Sequence, residues 1–593
     1  MKRSEQNIQD TWNMEDMFPG DEIWEKDFEK AAELIPKYAD FAGKVSKNKE
    51  KLIEYFRFND EVNLLAERLY VYSNQKYHED MAESKYQAYS GKAQKLVVDI
   101  GSASAYFEPE LLEMDKEVLL EWMKDERLAD YRRYISEILR GKEHTLDKKT
   151  EEILAKSKKM ASAADNIYAM YNGADIAFPE VTDSKGEKMK LTHGNFVPIL
   201  GGTDRELRKN AFKALYDTYG KMKNTIAATF NANVEQACFY ADVRNYPSSL
   251  AMYLDGSNIP VSVYDNLIEV VHENMDLMHR YVALRKKILG VDELHMYDIY
   301  APIAKAPKEK FSFEKAKEMV LEGLAPMGED YLCKLKEGFE NRWIDVYENE
   351  GKRSGAYSWG AYGTHPYVLL NYQGTLDDVF TLAHEMGHAL HSYYSDANQP
   401  YIQAGYRIFV AEVASTCNES LLIHDLLKKT EDKEMKAYLI NHFLEQFKGT
   451  LYRQTMFAEF EKKTHAMVQQ GETLTSEVLC QTYYDLNKEY FGEEMVSDEE
   501  IALEWARIPH FYNPFYVYQY ATGISAAIAL SRKIMKEGEA GVKDYMKFLT
   551  GGGSKDPIEL LKLAGVDMNS KEPIEQALQL FKELLDQMEE ITA

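Results

Sequence analysis

Apolar residues recur three and four positions apart through most of this chain, in segments rich in Glu, Lys, Ala, Leu and Met, and only 16 prolines interrupt 593 residues. That spacing paints one apolar stripe along each helix, so the segments must bury their stripes against one another. Residues 52–58, 62–72, 111–122 and 131–139 carry the pattern plainly. One core rarely grows past about 250 to 300 residues, so a mainly α protein with more than one lobe is expected. The texture changes around residues 177–191, where short mixed runs surround a turn at Ser184-Lys185-Gly186. This reads as a hairpin joining an N-terminal helical lobe, residues 1–195, to a second domain, residues 196–593. Residues 343–347, 355–362 and 367–372 are β-leaning and aromatic, which predicts a small sheet inside the helical protein. Gly551-Gly552-Gly553-Ser554 reads as a loop between helices, because helical sequence resumes at Pro557.

Composition serves mainly to exclude. Lys and Arg number 71 against 98 Asp and Glu, a formal net charge of −27. Such a field repels phosphate backbones and anionic membranes, so neither nucleic acid nor a membrane surface is an expected partner. The four cysteines, Cys238, Cys333, Cys417 and Cys480, are far apart, which suggests neither a disulfide framework nor a thiolate zinc site. The N-terminus lacks the apolar stretch of a secretory signal, and no window approaches the roughly 20 apolar residues of a membrane span. A cytoplasmic protein is expected.

The chemistry is concentrated in residues 375–391. Thr375 with Asp378 three positions on resembles a capping box, so a helix should begin there. His384 and His388, at i and i+4, then project from one face, where two imidazoles can converge on one metal. Glu385 sits beside the first of them, able to reach a water at the metal without binding the metal itself. His391 shares the face but would leave Glu385 on the wrong side, and reads as packing. A third ligand is expected in residues 409–419, where Glu412 and Glu419 lie seven apart on one helix face among Val, Ala and Cys. Glu412 as ligand and Glu419 as acceptor for a histidine ring is the economical assignment; two simply solvated glutamates are the plain alternative.

A second group lies downstream. Asn513 followed by Pro514 reads as an N-cap with proline at the first helical position, predicting a helix onward to Lys533 in which Tyr516 and Tyr520 share a face. His510 and Tyr512 precede it. Aromatic core packing is the simpler reading of these tyrosines. Residues 366–372, ending just before the motif helix, could offer strand backbone to an extended peptide, or be an ordinary buried hairpin.

The His384–His391 segment, the Phe409–Thr416 segment and residues 510–523 together resemble the thimet oligopeptidase family of zinc metallopeptidases, most closely its bacterial oligoendopeptidase F branch. Trp12-Asn13-Met14-Glu15-Asp16-Met17-Phe18, Gly355–Tyr357, Leu369–Tyr372 and residues 551–568 share in the likeness, which spans nearly the whole chain. The resemblance implies two helical lobes enclosing a deep substrate channel, with a small β-sheet beside the zinc-binding helix. It implies one Zn2+ held by His384, His388 and Glu412, with Glu385 as the catalytic glutamate. It also implies that a histidine and tyrosines of the downstream region, drawn from His510, Tyr516, Tyr520 and, last, Tyr512, stabilise the tetrahedral intermediate. The expected function is a zinc-dependent endopeptidase of short unstructured oligopeptides, with water activated at the metal and Glu385 as general base. The alternatives are a zinc exopeptidase with the same chemistry and a non-catalytic peptide-binding protein.

Overall fold

The computed structural model describes residues 1–593 and is 71% helix and 3% strand. The chain divides into two compact units. Unit one gathers Met1–Glu143, Lys308–Asp425 and Leu530–Val566; unit two gathers His144–Pro307, Leu426–Ala529 and Asp567–Ala593. Each unit is therefore assembled from three stretches of chain, a grouping that differs from a single cut near residue 195. The expected hairpin is present, with β1 (Glu180–Thr182) antiparallel to β2 (Lys188–Lys190), Gly186 taking the left-handed turn at φ 84°. It lies inside unit two.

Unit two also holds the parallel pair β3 (Leu294–His295) and β7 (Met495–Val496). Unit one holds β4 (Ile344–Asp345), β5 (Tyr357–Trp359) and β6 (Tyr367–Leu369) in the order β4-β6-β5. Of the two readings open for residues 366–372, the buried one holds for β6, which is central: it is parallel to β4, antiparallel to β5 and wholly buried. Its ladder bonds are taken on both sides, and β5 is the edge strand that follows it in the order.

The N-terminal helices of unit one bury an aromatic core, Trp24 stacking on Tyr89 at 4.1 Å and Tyr55 on Phe107 at 4.0 Å. Trp12 ties that core to the sheet. Its ring packs edge-on against Tyr367 at 6.2 Å, and its Nε1 donates to Glu79 at 2.7 Å. Arg342, at φ 59°, donates to the carbonyls of Thr11 and Trp12 and to the side chains of Thr11 and Asn13, which fixes the segment around that opening tryptophan.

Unit two packs around Phe230, Phe460, Trp505 and Phe511. Beside this core, Glu504 accepts from Arg453 and Arg507, each at 2.6 Å, and from the Tyr483 hydroxyl at 2.5 Å. Burial opposes its ionisation, but the two guanidinium groups outweigh burial and hold its carboxyl down at about 2. Removing that charge strands two buried cations. Glu504→Gln is expected to cost about 3–5 kcal/mol. Because the folded-state value is depressed, this stabilisation is in place above the unfolded value near 4.5 and is lost as pH falls towards 2. Thermal midpoints measured from pH 6 down to pH 3 should therefore fall more steeply for the parent chain than for the variant; parallel curves would remove this role.

Candidate metal centre

The motif helix runs from Leu376 to Asn398. Thr375 caps it as expected, its hydroxyl accepting the Asp378 amide at 3.2 Å while the Asp378 carboxylate accepts the Thr375 amide at 2.8 Å. Val379, Leu382, Ala383, Met386, Ala389 and Leu390 are buried, which fixes the helix in rotation and leaves His384 and His388 together at the margin of the buried face. A second helix, Ala411–Lys429, carries Glu412 and Glu419.

The two helices meet at Gly387. A Cβ there would lie 2.6 Å from Ser415 Cα and 2.8 Å from the Ala414 carbonyl, so only glycine lets the backbones approach this closely. Asn418 locks the crossing by donating to the Ala383 carbonyl at 3.0 Å and accepting from the Tyr331 hydroxyl at 3.0 Å. Neither contact was read from the sequence. The glycine between two motif histidines, in the middle of an otherwise good helix, is the signal that could have found the close approach.

This crossing brings three donor atoms into a triangle. His384 Nε2 and His388 Nε2 are 3.2 Å apart, and Glu412 Oε2 lies 3.3 Å from each. Bonds of about 2.0 Å at tetrahedral angles set ligand atoms about 3.3 Å apart, so the triangle has the size of one face of a tetrahedral zinc site. Glu419 accepts from His384 Nδ1 at 2.5 Å. That bond holds a ring proton on Nδ1, so Nε2 is the nitrogen that would turn a lone pair to a metal among the other two donors, the metal taking the place of its proton. Burial would depress the His384 pKa, but Glu412 and Glu419 outweigh it and push it up to about 10. Burial likewise opposes the charge of Glu412, yet the two imidazoles hold its carboxyl well below the usual range. The cluster is built to stabilise positive charge, as the donors of a divalent cation must be. Glu412 differs from the expectation of a buried carboxylate: its side chain is 39% exposed, against 12% for Glu419, so the triangle is open on one side.

Glu385 is only 7% exposed and does not join the triangle. Burial raises its pKa, with His384 and His388 opposing, and its Oε2 has no hydrogen-bond partner. It is a carboxylate one residue from His384 with one oxygen unengaged. His391 is packing, as expected: it is buried and stacks on Tyr406 at 3.8 Å with ring planes 4° apart.

The downstream group belongs to unit two, and its local structure departs from expectation. The helix begins at Tyr518, not at Pro514, and runs to Glu537. Phe515 stands at φ 56°, outside the helical region, and its amide donates to the buried Glu461 at 2.9 Å. Tyr516 therefore precedes the helix instead of sharing its face with Tyr520. The three side chains still cluster, with Tyr516 and Tyr520 rings 5.5 Å apart and the exposed His510 ring 6.3 Å from each. Burial, with Arg453 adding, lowers the His510 pKa, so its ring is neutral at neutral pH. Tyr512 faces elsewhere, stacked on Tyr168 at 4.3 Å and bonded to Thr229 at 2.8 Å.

Two substitutions test this construction. Gly387→Ala should leave overall helix content by circular dichroism near that of the parent while lowering metal affinity at least about tenfold, read by titration against a chelator. Glu419→Gln should lower affinity roughly 10- to 100-fold. Unchanged affinity in both would mean that the helix crossing does not set the donor triangle.

Known proteins resemble this chain over nearly its whole length. Residues 200–580 match Peptidase family M3, and residues 110–178 match the family described as Oligopeptidase F. Oligopeptidase PepF of Bacillus subtilis (strain 168) is 49% identical over 590 residues, covering 99% of this chain and 88% of that one. A solved structure from Chlamydophila abortus has a TM-score of 0.94 at 35% identity, covering 100% of this chain and 99% of that chain. Oligoendopeptidase-F from Enterococcus faecium has a TM-score of 0.76 at 36% identity, covering 96% and 99%. Matched over most of its length and by a relative of nearly the same extent, this chain belongs to peptidase family M3, in its oligopeptidase F branch, and is a peptide hydrolase.

Proposed function

We propose that this chain is a zinc-dependent endopeptidase that cuts internal bonds of short, unstructured peptides. The observation that carries the reading is the donor triangle of His384, His388 and Glu412 with an unengaged, buried Glu385 beside it. Zinc suits these donors, because imidazole nitrogen and carboxylate oxygen are its usual ligands; bound there, it would make water acidic and polarise a carbonyl. His384, held by Glu419, would present one lone pair, and His388 and Glu412 the others. An open fourth position separates a catalytic site from a structural one, and Glu385 has no purpose in a structural site.

Glu385 would take the proton of the attacking water and return it to the leaving amine. Its burial suits that task, since a raised pKa makes the carboxylate a better base and its acid a usable donor. The neutral His510 and the hydroxyls of Tyr516 and Tyr520 are assigned to hydrogen bonding with the oxyanion of the tetrahedral intermediate. Tyr512, whose hydroxyl is already bonded to Thr229, is the weakest candidate. Oligopeptides are the proposed partners.

Glu385→Gln should still bind about one zinc per chain, while peptide turnover drops roughly 100- to 10,000-fold; full activity in this variant would end the assignment. Tyr516→Phe should lower kcat about tenfold or more with KM little changed. A peptide blocked at both ends should be cut at internal bonds; cleavage confined to unblocked peptides would favour an exopeptidase. An intact folded protein in the same digest should survive, and its rapid loss would contradict the restriction to unstructured peptides.

A further inference from the structure

A cavity of about 780 Å³ opens within unit one, and its wall includes the motif helix itself. Ser392 and Asp396 of that helix line it; Asp396 follows His388 by eight residues, about 12 Å along the axis. Opposite stands Glu67, from the helix Lys49–Glu79. Trp359 of edge strand β5, Tyr362 and Tyr401 supply aromatic faces, the last two rings 5.5 Å apart and nearly perpendicular. This wall is fixed. Gly553 donates to the Gln403 carbonyl at 2.7 Å, Ser395 donates to the Ala404 carbonyl at 2.5 Å, and Gly552 sits at φ 51° where a Cβ would strike Ser395 and Gln403.

Glu67 Oε1 accepts the Tyr362 amide at 3.4 Å and Oε2 is buried without a close partner, the Tyr401 hydroxyl lying near enough to favour the ionised carboxyl against burial. No Lys, Arg or His side chain pairs with either acid. Arg68, the cation next to Glu67 in the chain, acts on it by charge, while its own Nε is buried without a partner. Two carboxylates facing one aromatic cavity, neither held in an ion pair and with only the charge of Arg68 acting on Glu67, favour a cation held by both charge and ring faces.

We propose that this cavity binds a cationic group of the peptide substrate, an ammonium or guanidinium. At about 3.3 Å per residue of extended chain, 12 Å places that group three to four residues from the bond that is cut. The proposal rests on the endopeptidase reading. Burial, and then the charge of Glu67, pushes the Asp396 carboxyl up to about 7, a cost that a bound cation between the two acids relieves.

The test uses blocked peptides of one sequence in which lysine is moved along the chain, each paired with norleucine at the same position, and one further pair differing only in a free or acetylated N-terminus. The reading is the ratio of kcat/KM within a pair. Both members are measured on the same preparation, so the ratio does not depend on how much of a variant has folded. In the parent chain one position should favour the cation roughly tenfold. In the Glu67→Gln/Asp396→Asn chain that ratio should fall to about one. A gain confined to lysine assigns the cavity to a side chain, and a gain confined to the free N-terminus assigns it to the α-ammonium; either supports the proposal. A ratio near one for every pair in the parent, or a preference undiminished in the double variant, overturns it. Binding of the same pairs, dye-labelled, to the Glu385→Gln chain repeats the comparison without turnover. Absent hydrolysis would then tell against the endopeptidase reading, while the cavity stands or falls on binding.

Discussion

Everything proposed for this chain depends on two helix backbones passing within side-chain contact at Gly387. No other residue type fits there, because the space a Cβ would need is filled by the backbone of Ala414 and Ser415. The approach does two things at once. It lets the buried faces of both helices close on each other, and it brings Glu412 to the nitrogens of His384 and His388, which the motif helix alone presents side by side. A separation larger by the width of one methyl group would leave the histidines paired with each other and the third donor out of reach. The proposed metal site and the packing therefore depend on one residue, and Asn418 and Glu419, about two turns beyond Glu412, hold the arrangement in place.

Electrostatics follow from that geometry. A triangle containing an anion, with a further carboxylate behind one histidine, stabilises positive charge at its centre, and a buried Glu385 beside it keeps an oxygen uncommitted. The same helix continues along an aromatic cavity lined by Glu67 and Asp396. The net charge of −27, which by composition alone says only that polyanions are poor partners, acquires a local use if two of those acids select a cationic residue of the substrate.

Much of this was legible in the sequence, and the reasons differ by element. The motif helix and its Thr375 cap could be read because both ends of each interaction lie within four residues. The helical character of the chain and the small sheet near residues 343–372 were readable from periodicity and from aromatic, glycine-punctuated runs. The misreadings share a cause, which is interaction between residues distant in sequence. Pro514 looked like the start of a helix, but Glu461, more than fifty residues away, holds the Phe515 amide and a left-handed backbone that postpones the helix to Tyr518. Whether β6 would offer its backbone or lie buried was left open by its sequence, because its order in the sheet is set by β4 and β5 on either side, which no local pattern encodes. The division into two units, each of three stretches, is likewise invisible to a boundary drawn along the chain.

At the centre stands a folded chain that presents two imidazole nitrogens and one carboxylate oxygen as a ready-made face for a tetrahedral metal. X-ray absorption at the zinc edge of the purified, zinc-loaded chain tests this most directly. The expected spectrum has a shell of nitrogen and oxygen donors at about 2.0–2.1 Å with the outer scattering of two imidazoles, reduced to one in His388→Ala. A sulfur shell near 2.3 Å, or an oxygen-only shell unchanged in that variant, would contradict it.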